Sequence, residues 1–278
     1  MKKNSYIAYP YIVWSAIFIL IPILLILFFS FTQKINGEYI FYLGNYETLF
    51  NPIYIKVFTR SISLSLTSTI ICLIIGYPVA YIISKAPLDK RSTLLLLFIL
   101  PMWMNFLLRT YAWMAILGKN GLLNNILDFI GLAKINIMYT NSAVMLGMVY
   151  NFLPFMVLPI YTALSKMDND LINAASDLGA NKLQIFTKII FPISIPGVAS
   201  GITMVFMPAV STFVISRLLG GGQYMLLGNL IEQQFTSIGN WNFGSAISML
   251  MMVIILISMA LMSRFEDKSD KEGGGVIW

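Results

Sequence analysis

Residues 173–192, NAASDLGANKLQIFTKIIFP, form the one polar, helix-forming segment of any length set between hydrophobic stretches of this chain. The small residues have a particular spacing: Ala174 and Ala175, then Gly179 followed by Ala180, then Ile189, Phe191 and Pro192. Around them Leu171, Ile172, Ala175, Leu178, Leu183, Phe186 and Ile189 alternate with Asp170, Asp177, Lys182 and Lys188, an amphipathic helical pattern. Gly179 interrupts that pattern, which predicts two short helices meeting there and presenting an apolar stripe with small residues. Periodicity alone leaves two readings open. The stripe either rests on the chain's own bundle or docks a partner outside the membrane.

Composition sets the solvent. Of 278 residues 58% are hydrophobic and only 11% charged, and the mean hydropathy is +0.79, so the chain folds in lipid. The net charge of +6 and pI near 9.3 do not point to nucleic acid, because the cations sit in short connections and form no basic face. Histidine is absent and Cys72 is the sole cysteine, which excludes disulfide frameworks, Cys/His metal sites and Ser/His or Cys/His nucleophilic centres. No Gly-rich run ending in Gly-Lys-Ser/Thr occurs, so the chain offers no ATP site and energy has to come from a partner.

Six segments are long and apolar enough to cross a bilayer, roughly residues 11–31, 61–84, 93–117, 142–164, 195–216 and 243–263. A helix of about 20 residues spans the ~30 Å hydrocarbon layer. Helices are expected because backbone groups in lipid must be satisfied internally, and the alternation of a membrane β-barrel is missing. The first segment starts with Lys2 and Lys3 but lacks an A-x-A cleavage site, so it reads as a retained span. The expected organisation is one transmembrane domain over residues 1–264, with a connecting loop at 165–192 and a charged, Gly-rich, solvated tail at 265–278.

Lysine and arginine placement gives orientation. With the N-terminus inside, eleven of the 18 cations fall inside and seven outside, which favours both termini, and the 173–192 segment, in the cytoplasm. Arg109, counted from Thr93 at ~1.5 Å per residue, falls about 24 Å along the third span. It is expected to snorkel to the outer headgroups beside an aromatic belt of Trp103, Tyr111 and Trp113. Outside, residues 120–140 predict a short surface helix, and the run Gly220, Gly221, Gly222 predicts a turn.

The spacing of the opening segment resembles the cytoplasmic loop of ABC importer permeases, in which a Glu-Ala-Ala triplet precedes a Gly by three residues and an Ile-x-Leu-Pro end follows. Here Asn173 stands where that family usually has Glu and Phe191 where it has Leu. The resemblance extends to LRTYAW (108–113), MVYNFLPFMVLPIY (148–161), FMPAVSTFVISRLLGG (206–221) and LLGNLIEQQF (226–235), which are similar to the polyamine (spermidine/putrescine) permeases of that family. It implies an all-α membrane protein with six transmembrane helices, the type I ABC importer permease (MetI-like) fold, and cytoplasmic coupling helices. It also implies a non-catalytic subunit of the bacterial cytoplasmic membrane. Its partners would be a second, PotC-like permease, two copies of a PotA-like ATPase that holds ATP and Mg2+, and an external PotD-like polyamine-binding protein. No cofactor is expected in this chain.

By the same resemblance Asn173, Ala174, Ala175, Asp177, Gly179, Ala180, Ile189 and Pro192 form the ATPase-docking motif, with Asp170 or Asp177 standing in for the carboxylate that Asn173 lacks. Moving a polycation through lipid calls for carboxylates or aromatic faces in place of water. The candidates for that path are Trp103, Tyr111, Tyr150, Phe155, Phe213 and Glu232. The loop motif is shared across substrates, so an importer for another small solute such as thiamine or iron stays open. A membrane receptor or anchoring subunit that transports nothing is the reading from a different class.

Overall fold

The computed structural model describes residues 9–273 except Asn36, with side chains through Phe265. Lys2 and Lys3, and the last five residues of the expected tail, lie outside the described residues. The first helix, α1, Tyr9–Ser30, passes through a π turn at Ala16–Leu20. A hairpin follows, β1 (Thr32–Ile35) antiparallel to β2 (Glu38–Phe41), pairing Ile35 with Glu38 and Thr32 with Phe41. Next come α2 (Gly44–Leu49), α3 (Pro52–Lys85), α4 (Leu88–Trp103), α5 (Phe106–Leu117), α6 (Leu122–Phe129) and α7 (Asn141–Ser165). The chain continues with α8 (Asn169–Asp177), α9 (Lys182–Ser211), α10 (Val214–Leu219), α11 (Leu227–Gln233) and α12 (Trp241–Gly273).

Five helices, α1, α3, α7, α9 and α12, are individually long and apolar enough to cross a membrane. The sixth expected span is bent. α4 and the segment Phe106–Phe129 that begins with α5 meet at 89°, where a 3-10 turn containing Pro101 gives way to extended Met104, and Asn105 caps the new helix by accepting from the Leu107 amide at 2.8 Å. Proline inside the turn removes a backbone donor and an N-cap side chain starts a fresh helix, so the chain changes direction there. An unbroken third span over residues 93–117 is therefore replaced by two half-helices.

The bundle is centred on α7, which packs on α3 and α9; α9 in turn packs on α12, and α12 on α1. Close approach depends on small residues, as is usual between helices in lipid where the hydrophobic effect offers no drive. A Cβ on Gly197 would lie 2.7 Å from the Ala163 Cβ and 2.7 Å from the Pro159 carbonyl, and one on Gly201 would lie 2.8 Å from the Met156 sulfur. Hydroxyl groups inside α3 are satisfied within the helix, Ser65 on the Ser61 carbonyl and Thr69 on the Ser65 carbonyl, both at 2.7 Å. That removes the cost of burying them in an apolar bundle. Between helices, the Tyr77 hydroxyl and Ser194 Oγ are 2.9 Å apart and join α3 to α9.

α1 is the peripheral helix, with none of its apolar window buried by the rest of the chain. Arg109 is not at the surface as its expected snorkelling position requires. It is 9% exposed on the inward side of α5, and its Nε has no hydrogen-bond partner. The estimate along a straight span fails because the span bends four residues before Arg109.

Candidate functional site

The segment between α7 and α9 is built around Gly179. α8 begins at Asp168, whose carboxylate accepts from the Asp170 amide at 2.9 Å, so both acidic groups sit at the positive end of the helix. Its other end is a Schellman closure: the Ala180 amide donates to the Ala175 carbonyl at 3.0 Å and the Gly179 amide to the Ser176 carbonyl at 2.9 Å. That closure needs a left-handed residue, and Gly179 supplies it with φ +82. Asn181 then caps the next helix. Its side chain accepts from the Gln184 amide at 2.9 Å, while Gln184 Oε1 accepts from the Asn181 amide at 2.8 Å, a reciprocal capping box.

The second of the two expected short helices is instead the base of α9. From Lys182 the helix continues as far as Ser211, through a π turn at Phe186–Ile190 in which the Phe191 amide reaches back to the Phe186 carbonyl. Pro192 stands two residues after the last residue of that turn. A widened turn accommodates the proline ring where a regular helix would clash. The expected fifth span over 195–216 is thus shifted toward the loop, ending at Ser211, with Ser216 in the separate helix α10.

Burial sorts the motif into two sets. Ile172, Ala175, Ala180 and Phe186 pack against the main core, with Ile185 and Ile190 buried beneath, and Ile189 is half-buried. Asn173, Ala174, Asp177, Gly179 and Pro192 are exposed. Asp170, Asn173 and Asp177 stand three and four residues apart on one exposed face of α8, so the two carboxylates flank the position that lacks one. The apolar knobs that face outward are Leu171 (49% exposed), Leu178 (89%) and Leu183 (71%). They belong to the predicted stripe, but periodicity did not separate them from its buried members. At the foot of the loop, Lys85 Nζ donates to Asn169 Oδ1 at 3.3 Å and links α3 to α8.

The path candidates are not gathered into one site. Trp103 and Tyr111 lie on the exposed side of the α4–α5 break, Tyr150 stacks edge-on against Trp113 at 5.2 Å, and Phe155 is half-exposed on α7. Phe213 and Glu232 lie on the two elements, α10 with its N-cap and α11, that pack at the opposite end of α9 from the loop. There Arg217 Nη1 donates to Glu232 Oε1 at 2.6 Å, and Asn229 ties α11 to α10 by donating to the Phe213 carbonyl at 2.8 Å and accepting from the Ser216 hydroxyl. The start of α11 is anchored on α3, the Leu227 amide donating to Ser61 Oγ at 2.8 Å.

The sequence held an overlooked signal for the hairpin between α1 and α2. The Asn-Gly dipeptide at 36–37 is a strong two-residue turn signal, and Gly37 has φ +93. The hairpin base is clamped by Asn45 and Asn242, whose amides both donate to the Thr32 carbonyl, at 3.0 and 2.7 Å.

Comparison with known proteins places this geometry in a family. Residues 1–271 match the family described as binding-protein-dependent transport system inner membrane component. The chain is 43% identical over 249 residues to the spermidine/putrescine transport system permease protein PotB of Haemophilus influenzae, covering 88% of this chain and 87% of that protein. It is 40% identical over 247 residues to PotB of Escherichia coli, covering 87% and 90%. Among solved structures, a chain of a bacterial ABC transporter that imports the polysaccharide alginate superposes with a TM-score of 0.80 at 18% identity, covering 96% of each chain. That last likeness establishes the fold, and the first three findings establish the lineage: the chain belongs to the inner-membrane permease components of binding-protein-dependent ABC importers.

Proposed function

We propose that this chain is one of two permeases forming the translocation path of a spermidine/putrescine importer, with both termini and the 173–192 loop in the cytoplasm. The observation behind the substrate class is the 40–43% identity to two PotB proteins over almost nine-tenths of the chain. Substrate arrives on an external, PotD-like binding protein. ATP and Mg2+ are held by a pair of PotA-like ATPases, and a PotC-like permease supplies the other half of the path.

The loop geometry supports a coupling role. Leu171, Leu178 and Leu183 offer exposed apolar knobs at the loop, flanked by the Asp170 and Asp177 carboxylates, to a groove on the ATPase. Because Lys182–Ser211 runs as one helix from the loop into the bundle, a displacement of the loop is passed along it to the wall of the path. Closing and reopening of the ATPases then favours one of two permease arrangements over the other.

The test is transport by the assembled complex in proteoliposomes. Labelled spermidine or putrescine accumulates only when ATP is inside with the ATPases and the binding protein is on the opposite side. Selective accumulation of an unrelated solute, such as thiamine or iron, with no polyamine uptake overturns the substrate assignment.

A further inference from the structure

The two features that attract a cation at the α10–α11 end of the molecule already hold cations of the chain itself. A cleft of about 210 Å3 is lined by Arg217, Tyr224, Asn229, Glu232 and Gln233, among others, and Glu232 is the one carboxylate among its lining residues. Arg217 Nη1 occupies that carboxylate at 2.6 Å. The Tyr224 ring has the Arg60 guanidinium over it, 5.3 Å from the centroid, so this ring also works as a cation acceptor.

The pair is built for exchange rather than for permanent closure. The Arg217 side chain is 63% exposed and that of Glu232 27%, which makes the arginine the mobile member and leaves the bond open to solvent. Losing it does not unseat the helices. Asn229 still joins α11 to α10 through the Phe213 carbonyl and Ser216, and the Leu227 amide still rests on Ser61. The connection between α10 and α11 turns at Gly221 and Gly222, φ +60 and +73, so it brings Glu232 back beside Arg217 without side-chain strain in the turn.

We propose that this cleft is a cation-exchange site in which an alkylammonium group of the substrate takes Glu232 from Arg217, with Tyr224 as its second contact. The proposal rests on the polyamine reading above and on the α10–α11 end facing the side from which substrate is delivered. Arg217 acts as a surrogate substrate that keeps the carboxylate neutralised until an ammonium group arrives.

Exchange and a purely structural ion pair make opposite predictions for single substitutions. In proteoliposomes containing the full complex, spermidine uptake is measured against the concentration of substrate-loaded binding protein. Glu232→Gln removes the acceptor and raises the half-saturating concentration at least 5-fold; Glu232→Asp keeps it within 2-fold, and Tyr224→Leu raises it by a smaller factor than Glu232→Gln. Arg217→Gln removes the competitor and lowers the half-saturating concentration at least 2-fold, whereas the swap R217E/E232R restores a value near wild type because the cleft again holds one carboxylate and one guanidinium. If Arg217→Gln and Glu232→Gln both impair uptake to the same extent, or neither changes it, the exchange site is overturned while the polyamine reading stands. If the unaltered complex takes up no polyamine, it is the polyamine reading that fails.

Discussion

The Ala180 amide donates to the Ala175 carbonyl across 3.0 Å, closing α8 over Gly179 and leaving both alanines packed on the main core. This one bond explains the spacing of small residues in the loop. Ala175 is the third residue from the helix end, Gly179 takes the left-handed position, and Ala180 returns the chain to the core. Each position is small or glycine for its own reason, and the exposed leucine knobs are positioned by the closure rather than by the alanines themselves.

Gly179 is demanded by backbone conformation and not by space, since a Cβ there meets nothing within 4 Å. A side chain in left-handed geometry costs about 1–2 kcal/mol, less for Asn. Gly179→Leu is expected to reduce co-purification of the ATPase and to uncouple ATP hydrolysis from uptake, with Gly179→Asn retaining most of both. Normal uptake and an intact complex with Gly179→Leu contradict the assignment.

Leu178 and Leu183 are exposed in a loop where the described residues leave them largely uncovered. Leu178→Asp and Leu183→Asp should weaken ATPase association by about 10-fold, of the order expected for losing an apolar anchor. The isolated permease should unfold within ~2 °C of wild type, because surface changes away from packed features cost under about 0.5 kcal/mol. Association is read by titrating the ATPase against the reconstituted permeases.

The bond from the Leu227 amide to Ser61 Oγ satisfies the first free amide of α11 in a buried setting. Ser61→Ala leaves that donor unpaired at a cost of about 1–3 kcal/mol. The expected result is a thermal midpoint in detergent lower by several degrees, with Ser61→Thr close to wild type. An unchanged midpoint for Ser61→Ala would show that the contact is not stabilising.

Gly197 is where α9 meets α7, and a Cβ there lies within 2.7 Å of both the Ala163 Cβ and the Pro159 carbonyl. Gly197→Val is expected to destabilise the bundle by roughly 1–3 kcal/mol, the range for forced overpacking. Adding Ala163→Gly should recover only part of the loss, because the backbone carbonyl of Pro159 cannot yield. Full recovery in thermal unfolding would place the clash on Ala163 alone.

Much of the architecture is legible along the chain because lipid imposes local rules. Apolar runs long enough to span must be helical, and five of the six expected spans contain or overlap one long helix in the structure. The third departs from the expected span because Pro101 lies in a 3-10 turn there; the decisive residue is Asn105, whose capping bond restarts the helix after extended Met104. Arg109 lies inside rather than at the outer headgroups for the same reason, because the bend precedes it. The hairpin between β1 and β2 is readable from the Asn-Gly dipeptide in the sequence, whereas its clamp by Asn45 and Asn242 joins residues far apart in the chain.

The sequence by itself determined the solvent, the helical class and the loop with its glycine, because hydropathy, helix length and left-handed backbone geometry are all set within a few neighbouring residues. Only the tertiary structure decided which members of the amphipathic stripe turn inward. Ala175, Ala180 and Phe186 meet the core while Leu178 and Leu183 remain outside, and that choice depends on where α3 and α7 lie. The same holds for Glu232. Its character as a carboxylate is written in the chain, but its partner Arg217 lies 15 residues away across a glycine turn, and a contact of that kind exists only once α10 and α11 have packed.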